Sequence, residues 1–217
     1  KAGITRQQAD EFSTQSHAKA FAAIDAGRFK QEIVPVEIKG RKGSTIVDTD
    51  EPPRRETTVE TLGGLKPAFV KDMPADIKEP VVTAGNAPGL NDGAAAVIVT
   101  SEEYARANGL TILARINSYS TGAVAPRDLF FAPVRAVRRM MEKEGKSIND
   151  YDLIEANEAF AVQTIVCARQ LGLREDQLNL RGGGIALGHP IGCSGARVLV
   201  TLLHLMEVSG AFVVVRN

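Results

Sequence analysis

The residues with most chemical potential lie between Arg181 and His204, in RGGGIALGHPIGCSGARVLVTLLH. Six glycines, Gly182, Gly183, Gly184, Gly188, Gly192 and Gly195, fall within fourteen positions around His189. Glycine adopts positive φ at little cost and lets a backbone or ligand come close. Pro190 biases His189 away from helical backbone. Ser194 is placed to cap a helix starting near Gly195, with free N–H groups at its positive end. A histidine held this way can act as a base, a hydrogen-bond donor or part of an anion site. It can also simply be structural, since glycine-rich turns into helices are common. The loop is not a phosphate-binding GxxxxGK[ST] motif, because no lysine follows the glycines. Nor is it a nucleophile elbow, because Ser194 sits in Gly192-Cys193-Ser194-Gly195.

Upstream, Asn157 and Glu158 open the segment NEAFA. Asn157 reads either as a helix N-cap or as an amide fixing a water or carbonyl in a site. Glu158 reads as a carboxylate in the first helical turn, complementing the dipole. The two cysteines, Cys167 and Cys193, have neither Cys-x-x-Cys nor zinc spacing. Cys167 falls on an apolar helix face and reads as a small buried hydrophobe. Cys193 sits near a helix start, a place that can make a thiol reactive.

The elements that must position these residues follow from periodicity. Residues 5–25 read as a helix, with a Thr5–Gln8 capping box and apolar Phe12, Ala20, Phe21 and Ile24. QEIVPVEI at 31–38 alternates like a strand, demoted to an edge by Pro35. Residues 39–58 are charged and turn-rich; they read as a solvated excursion or as a loop holding polyanions through Arg54 or Arg55. Residues 101–108 form a short helix with a Ser cap. From 112 the pattern is β-α-β-α-β-α: a strand ILARINSYS, a helix from Pro133, a buried strand YDLIEA at 151–156, a helix over 158–172, the glycine loop with its helix, and a final strand AFVVV. Such alternation predicts a layered α/β fold. On pattern alone, a doubly wound nucleotide-binding domain remains open.

Composition excludes several classes. The chain has 217 residues, with 26 basic and 26 acidic side chains balancing to a net charge of zero. No basic arm points to nucleic acid, no apolar run reaches membrane-spanning length, and no signal peptide opens the chain. The unpaired cysteines fit a reducing, cytoplasmic setting. The chain opens on KAGITRQQADEF, already in helical pattern, which suggests a start inside a larger protein.

Three segments carry a family resemblance: GNAPGLNDGAAA at 85–96, NEAFA at 157–161 and GGGIALGHPIGCSGAR at 182–197. Together and in this order they resemble the thiolases, acyl-CoA acetyltransferases. The resemblance implies a thiolase-like layered α/β fold with an α+β loop domain. Residues 1–90 would be the loop domain gripping coenzyme A, 91–111 the end of the N-terminal thiolase domain, and 112–217 a truncated C-terminal thiolase domain, with the N-terminal half absent. It implies acyl transfer between CoA thioesters: condensation of acetyl-CoA, or thiolysis of a 3-ketoacyl-CoA. His189 would stabilise the thioester oxyanion together with a water held by Asn157. Arg54, Thr61, Ala84 and Pro88 fall at CoA-binding positions. Relatives usually place a serine at the position of Pro88, and proline has no hydroxyl and no N–H to offer the pantetheine arm. Leu129, with Phe130 and Phe131, falls where the family lines its acyl pocket. No metal or prosthetic group is implied; the partners are acyl-CoA and coenzyme A, with a homo-oligomer in the full-length family. The family's nucleophilic cysteine belongs to a motif upstream of this chain, and its second cysteine to a C-x-G-G-G stretch beyond it. Neither Cys167 nor Cys193 matches either motif, so the chain alone is expected to be inactive. The alternative is a noncatalytic CoA-binding or scaffolding remnant.

Overall fold

A computed structural model describes residues 2–75, 77, 79–209 and 213–216. Helix α1 spans Arg6–Asp25 and begins with the expected box: Gln8 N donates to Thr5 Oγ1 at 3.2 Å and Thr5 N donates to Gln8 Oε1 at 3.1 Å. Its buried face is not the apolar stripe read from sequence. Ala9, Asp10, Ser13, Ser16, His17, Ala20 and Ala23 point inward, while Phe12, Phe21 and Ile24 are only partly buried. Small and polar side chains win that face because other backbone approaches it closely.

A hairpin follows. Strand β1 (Val36–Gly40) pairs antiparallel with β2 (Gly43–Val47), in the register Val36↔Val47 to Gly40↔Gly43. The strand expected at 31–38 therefore starts after Pro35, which offers no N–H to a ladder. Every residue of both strands is exposed. The short helix α2 (Val59–Gly63) packs on α1. Helix α3 (Glu102–Ala107) carries the expected cap, Tyr104 N donating to Ser101 Oγ at 3.2 Å.

The C-terminal half is built on α4 (Ala132–Glu144), strand β3 (Leu153–Ala156), α5 (Ala161–Leu171), the one-turn helix α6 (Gly184–Leu187), α7 (Ile191–Ser209) and β4 (Val213–Arg216). β3 is buried along its whole length and pairs parallel with β4, Leu153↔Val213 through Ala156↔Arg216. A parallel pair needs a crossover, and helices α5 to α7 lie between the two strands. The expected final strand is thus present at 213–216; Ala211 and Phe212 lie outside the described residues. Val134 and Val137 of α4 bury against Cys167 and Leu171 of α5, while Tyr151, Ile154, Ala156 and Leu178 form a second apolar cluster.

The strand expected at 112–120 does not form. That segment has no regular secondary structure, and Leu113, Ile116 and Tyr119 are 61, 62 and 77 % exposed. Ile98 and Val99, in the apolar run 91–100, are likewise 90 and 70 % exposed. A strand is stabilised by its ladder and its packed face, and among the described residues neither segment has a strand beside it. Among the described residues no helix is long and apolar enough to cross a membrane.

Candidate active site around His189

Strand β3 points its C-terminal end at the site. Beyond Ala156 the chain does not enter a helix directly: α5 starts at Ala161, so Asn157 is not its N-cap and Glu158 is not in its first turn. Asn179 makes the turn instead. Held at φ 46°, its side chain accepts from Ala156 N at 2.8 Å and donates to Ala156 O at 2.9 Å. One amide thus stands in for a neighbouring strand's backbone, and the strand ends there with both its groups satisfied. This leaves Asn157 and Glu158 free to point at the glycine loop.

Glu158 is 1 % exposed and receives three donors. Ser16 Oγ donates at 2.7 Å, Asn179 Nδ2 at 2.9 Å and Ile185 N at 3.1 Å. Gly183 N in turn donates to Ser16 Oγ at 3.1 Å. A Cβ on Gly183 would fall 2.2–2.6 Å from the Glu158 carboxyl. That contact explains glycine here better than loop flexibility does. Burial pushes the Glu158 carboxyl above the ordinary range, and the three donors oppose that rise. The carboxylate therefore binds α1, α6 and the β3 turn into one scaffold under His189.

His189 follows α6. Gly188 closes that helix at φ 97°, and a Cβ there would meet Asn91 at 2.8 Å. Asn91 Oδ1 accepts from His189 N at 3.2 Å, so the 85–96 segment clamps the histidine backbone. The imidazole meets Ser194 Oγ at 2.6 Å through Nδ1. Asn157 Nδ2 lies 3.3 Å from Nε2 and 3.4 Å from Nδ1. Asn157 Oδ1 is buried with no hydrogen-bond partner among the described residues. Burial and the nearby Arg197 charge lower the His189 pKa, which favours the neutral ring. Ser194 does not cap a helix starting at Gly195. Helix α7 begins at Ile191, and Pro190 O accepts from Cys193 N at 2.8 Å and Ser194 N at 2.9 Å.

The other expected residues are spread over the surrounding elements. Arg54 N donates to His17 Nδ1 at 3.2 Å, and Arg54 lines a cavity of about 160 Å³ with Thr14, His17, Phe21, Arg55 and Thr57. Arg55 stacks 4.2 Å over Phe21 and bridges to Asp25, so its charge is already partnered. The Thr61 hydroxyl is used locally, accepting from Thr58 N at 2.9 Å as part of the α2 cap. Ala84 is exposed and Pro88 half-buried, on the stretch that leads to Asn91. The turn beneath them is anchored by Asn86, whose Nδ2 donates to Asp10 Oδ1 at 2.9 Å while its carbonyl accepts from Ala161 N at 3.0 Å. Leu129 is 64 % exposed on the 3₁₀ turn Pro126–Phe131, whose Phe130 ring packs 5.4 Å from Phe160. No hydrogen bond joins Arg54, Thr61, Ala84, Pro88 or Leu129 to His189 among the described residues; the structure brings together His189 and Asn157. Cys167 Sγ donates to Phe130 O at 3.2 Å inside an apolar cluster, and burial pushes the Cys193 thiol up.

Sequence reading missed Ser16, Asn91 and Asn179. Asn91 lies within the quoted 85–96 segment, so its position was flagged though its role was not. Ser16 and Asn179 carried no local signal.

One buried group lies beside this scaffold on β3. Glu155 is 1 % exposed, and neither carboxylate oxygen has a hydrogen-bond partner among the described residues. Burial pushes its carboxyl up to about 8; the Arg197 charge opposes this, and Glu158 and Glu32 reinforce it. The unfolded chain releases this proton near 4.5. Between those values the folded chain holds the extra proton, so its stability is full below 4.5 and is lost as pH rises towards 8. Urea unfolding across that window is expected to show stability falling by up to about 1.4 kcal/mol per pH unit from this group. Glu155→Gln should flatten the slope; an unchanged slope would assign it to other groups.

Comparison with known proteins places these features in a family. Residues 1–103 match the family model described as thiolase, N-terminal domain, and residues 110–216 match thiolase, C-terminal domain. The acetyl-CoA acetyltransferase of Pseudomonas aeruginosa is 53 % identical over 207 residues, which cover 95 % of this chain and 51 % of that protein. The 3-ketoacyl-CoA thiolase of Vibrio cholerae is 46 % identical over 213 residues, covering 96 % of this chain and 54 % of that protein. The crystal structure of the Bacillus anthracis acetyl-CoA acetyltransferase superposes with a TM-score of 0.89 at 45 % identity, over 95 % of this chain and 51 % of that one. The human mitochondrial 3-ketoacyl-CoA thiolase gives 0.88 at 41 % identity, over 96 % of this chain and 51 % of that one. The chain spans about half the length of the curated relatives it matches.

Proposed function

Because the chain belongs to the thiolase family, we propose that it carries the oxyanion-stabilising part of an acyl-transfer site for CoA thioesters. The observation that carries this reading is the meeting of His189 and Asn157. They come from two elements joined by the buried Glu158, with the amide 3.3 Å from the ring. In acyl transfer, negative charge develops on the thioester oxygen. A neutral imidazole donates a hydrogen bond to that oxygen without adding a formal charge. Asn157, with its buried oxygen unpartnered, can hold a water as a second donor. Donors fixed before the reaction need not reorganise during it.

Arg54, Thr61, Ala84 and Pro88 are the proposed contacts for coenzyme A, and Leu129 a wall of the acyl pocket. The Arg54 cavity suits a phosphate-bearing group. At Pro88 the pantetheine arm loses a hydroxyl partner, so binding there rests on shape. The domain division proposed is 1–90, 91–111 and 112–217. Both cysteines of the chain are buried, which speaks against either as the nucleophile. The same burial favours a second reading, CoA binding without turnover.

Acetoacetyl-CoA cleavage with free CoA distinguishes these readings. The purified chain alone is expected to give no turnover. The chain joined to the part of the P. aeruginosa relative that it does not span is expected to cleave. Cleavage by the chain alone, abolished by His189→Ala, would reveal a nucleophile within it, with Cys193 the first suspect. CoA binding by calorimetry with no cleavage by the joined protein would replace the catalytic reading with the second one.

A further inference from the structure

The contact between His189 and Ser194 has a consequence for the imidazole. A neutral imidazole carries one proton, and which nitrogen holds it is set by the partner of the other. Nδ1 faces Ser194 Oγ at 2.6 Å. The hydroxyl has a single proton and two acceptors within reach, Nδ1 and Pro190 O at 3.0 Å. Three observations decide between them. The 2.6 Å separation is shorter than bonds donated by an N–H, which run about 2.7–3.2 Å, and fits better a hydroxyl, the donor of the shorter bonds. Pro190 O already accepts two backbone N–H groups, from Cys193 at 2.8 Å and Ser194 at 2.9 Å, so the hydroxyl would be a third donor competing with both there, whereas Nδ1 offers it an unshared lone pair. Ser194 is 1 % exposed, so solvent does not compete for its proton.

We propose that Ser194 is a positioning residue that donates its hydroxyl proton to Nδ1 of His189 and so fixes the ring as the Nε2–H tautomer. Nε2–H is then the imidazole's donor; Asn157 Nδ2, 3.3 Å away, is itself a donor and cannot accept it, so Nε2–H is left for a substrate oxygen. Ser194 stands in the first turn of α7 and His189 just before it, so the helix start sets the distance between them. In the competing network Nδ1–H donates to Ser194 Oγ, Asn157 Nδ2 donates to Nε2, and the ring has no N–H left for a substrate oxygen. The catalytic consequence rests on the acyl-transfer reading; the tautomer itself does not.

The test reads the ring directly. The chain is labelled with ¹⁵N-histidine, and long-range ¹H–¹⁵N correlations are recorded above the ordinary histidine titration range. The chain has three histidines, and His189→Asn identifies the signals of the third beside His17 and His204. Wild type is expected to show an unprotonated Nδ1 and a protonated Nε2. Ser194→Ala is expected to move the tautomer ratio towards Nδ1–H by about fivefold or more, the effect of one lost hydrogen bond. Ser194→Thr, which keeps the hydroxyl, should retain the wild-type pattern. A protonated Nδ1 in wild type overturns the proposal even if the variants fail to fold. So does a ratio that Ser194→Ala leaves unchanged. Because no turnover is needed, a negative result here is separate from failure of the acyl-transfer reading.

Discussion

Glu158→Ala is expected to destabilise the chain by about 3–5 kcal/mol, read as a fall in the urea midpoint by circular dichroism. The carboxylate accepts from Ser16 Oγ, Asn179 Nδ2 and Ile185 N. Truncation strands all three donors in a site where the residue is 1 % exposed. An unsatisfied buried donor costs about 1–3 kcal/mol, and cavity relaxation recovers only part of it. Since whole domains have about 5–15 kcal/mol of stability, this is a large share. Glu158→Gln should fall between: its amide oxygen keeps the Ser16 and Ile185 donors, but its NH₂ confronts Asn179 Nδ2. A loss below about 1 kcal/mol for the alanine variant would mean that the carboxylate does not join α1, α6 and β3 as described.

His189→Ala in the joined, turnover-competent protein is expected to lower kcat for acetoacetyl-CoA cleavage by about 10²–10³, with a smaller change in KM. The split matters because a donor that meets charge only as it develops stabilises the transition state more than the bound substrate. Asn157→Ala should act in the same direction. The double variant should lose less than the product of the two, because the amide and the ring lie in contact and act on one oxygen. Equal losses in kcat/KM with kcat unchanged would reassign His189 to substrate binding.

Much of this organisation was legible in the residues. The Thr5–Gln8 box, the Ser101 cap and the buried run before Asn157 are local patterns, and each appears in the structure where read. The glycines around His189 announced a crowded backbone, and Gly183 against Glu158 is that crowding. The readings that failed were those in which a local rule met a distant partner. Asn157 and Glu158 look like the start of a helix, but the Asn179 side chain ends β3 and delays α5 to Ala161. Ser194 looks like a cap, but Pro190 O takes the first turn and the serine turns to His189. Residues 112–120 alternate like a strand, yet a strand requires a neighbour to pair with, and none stands beside them among the described residues.

Residue patterns alone determined the α/β alternation of the second half, and the resemblance of three segments to the thiolases pointed to the family and singled out His189 and Asn157. Only the tertiary structure decided that Glu158 is a buried hub, that Asn91 clamps the histidine backbone and that Ser194 faces its ring. The hub's bond to Ser16 spans 142 residues and the Asn91 clamp 98. Contacts over such separations leave no periodicity in the chain, because burial and hydrogen-bond demand select them only after the elements have packed.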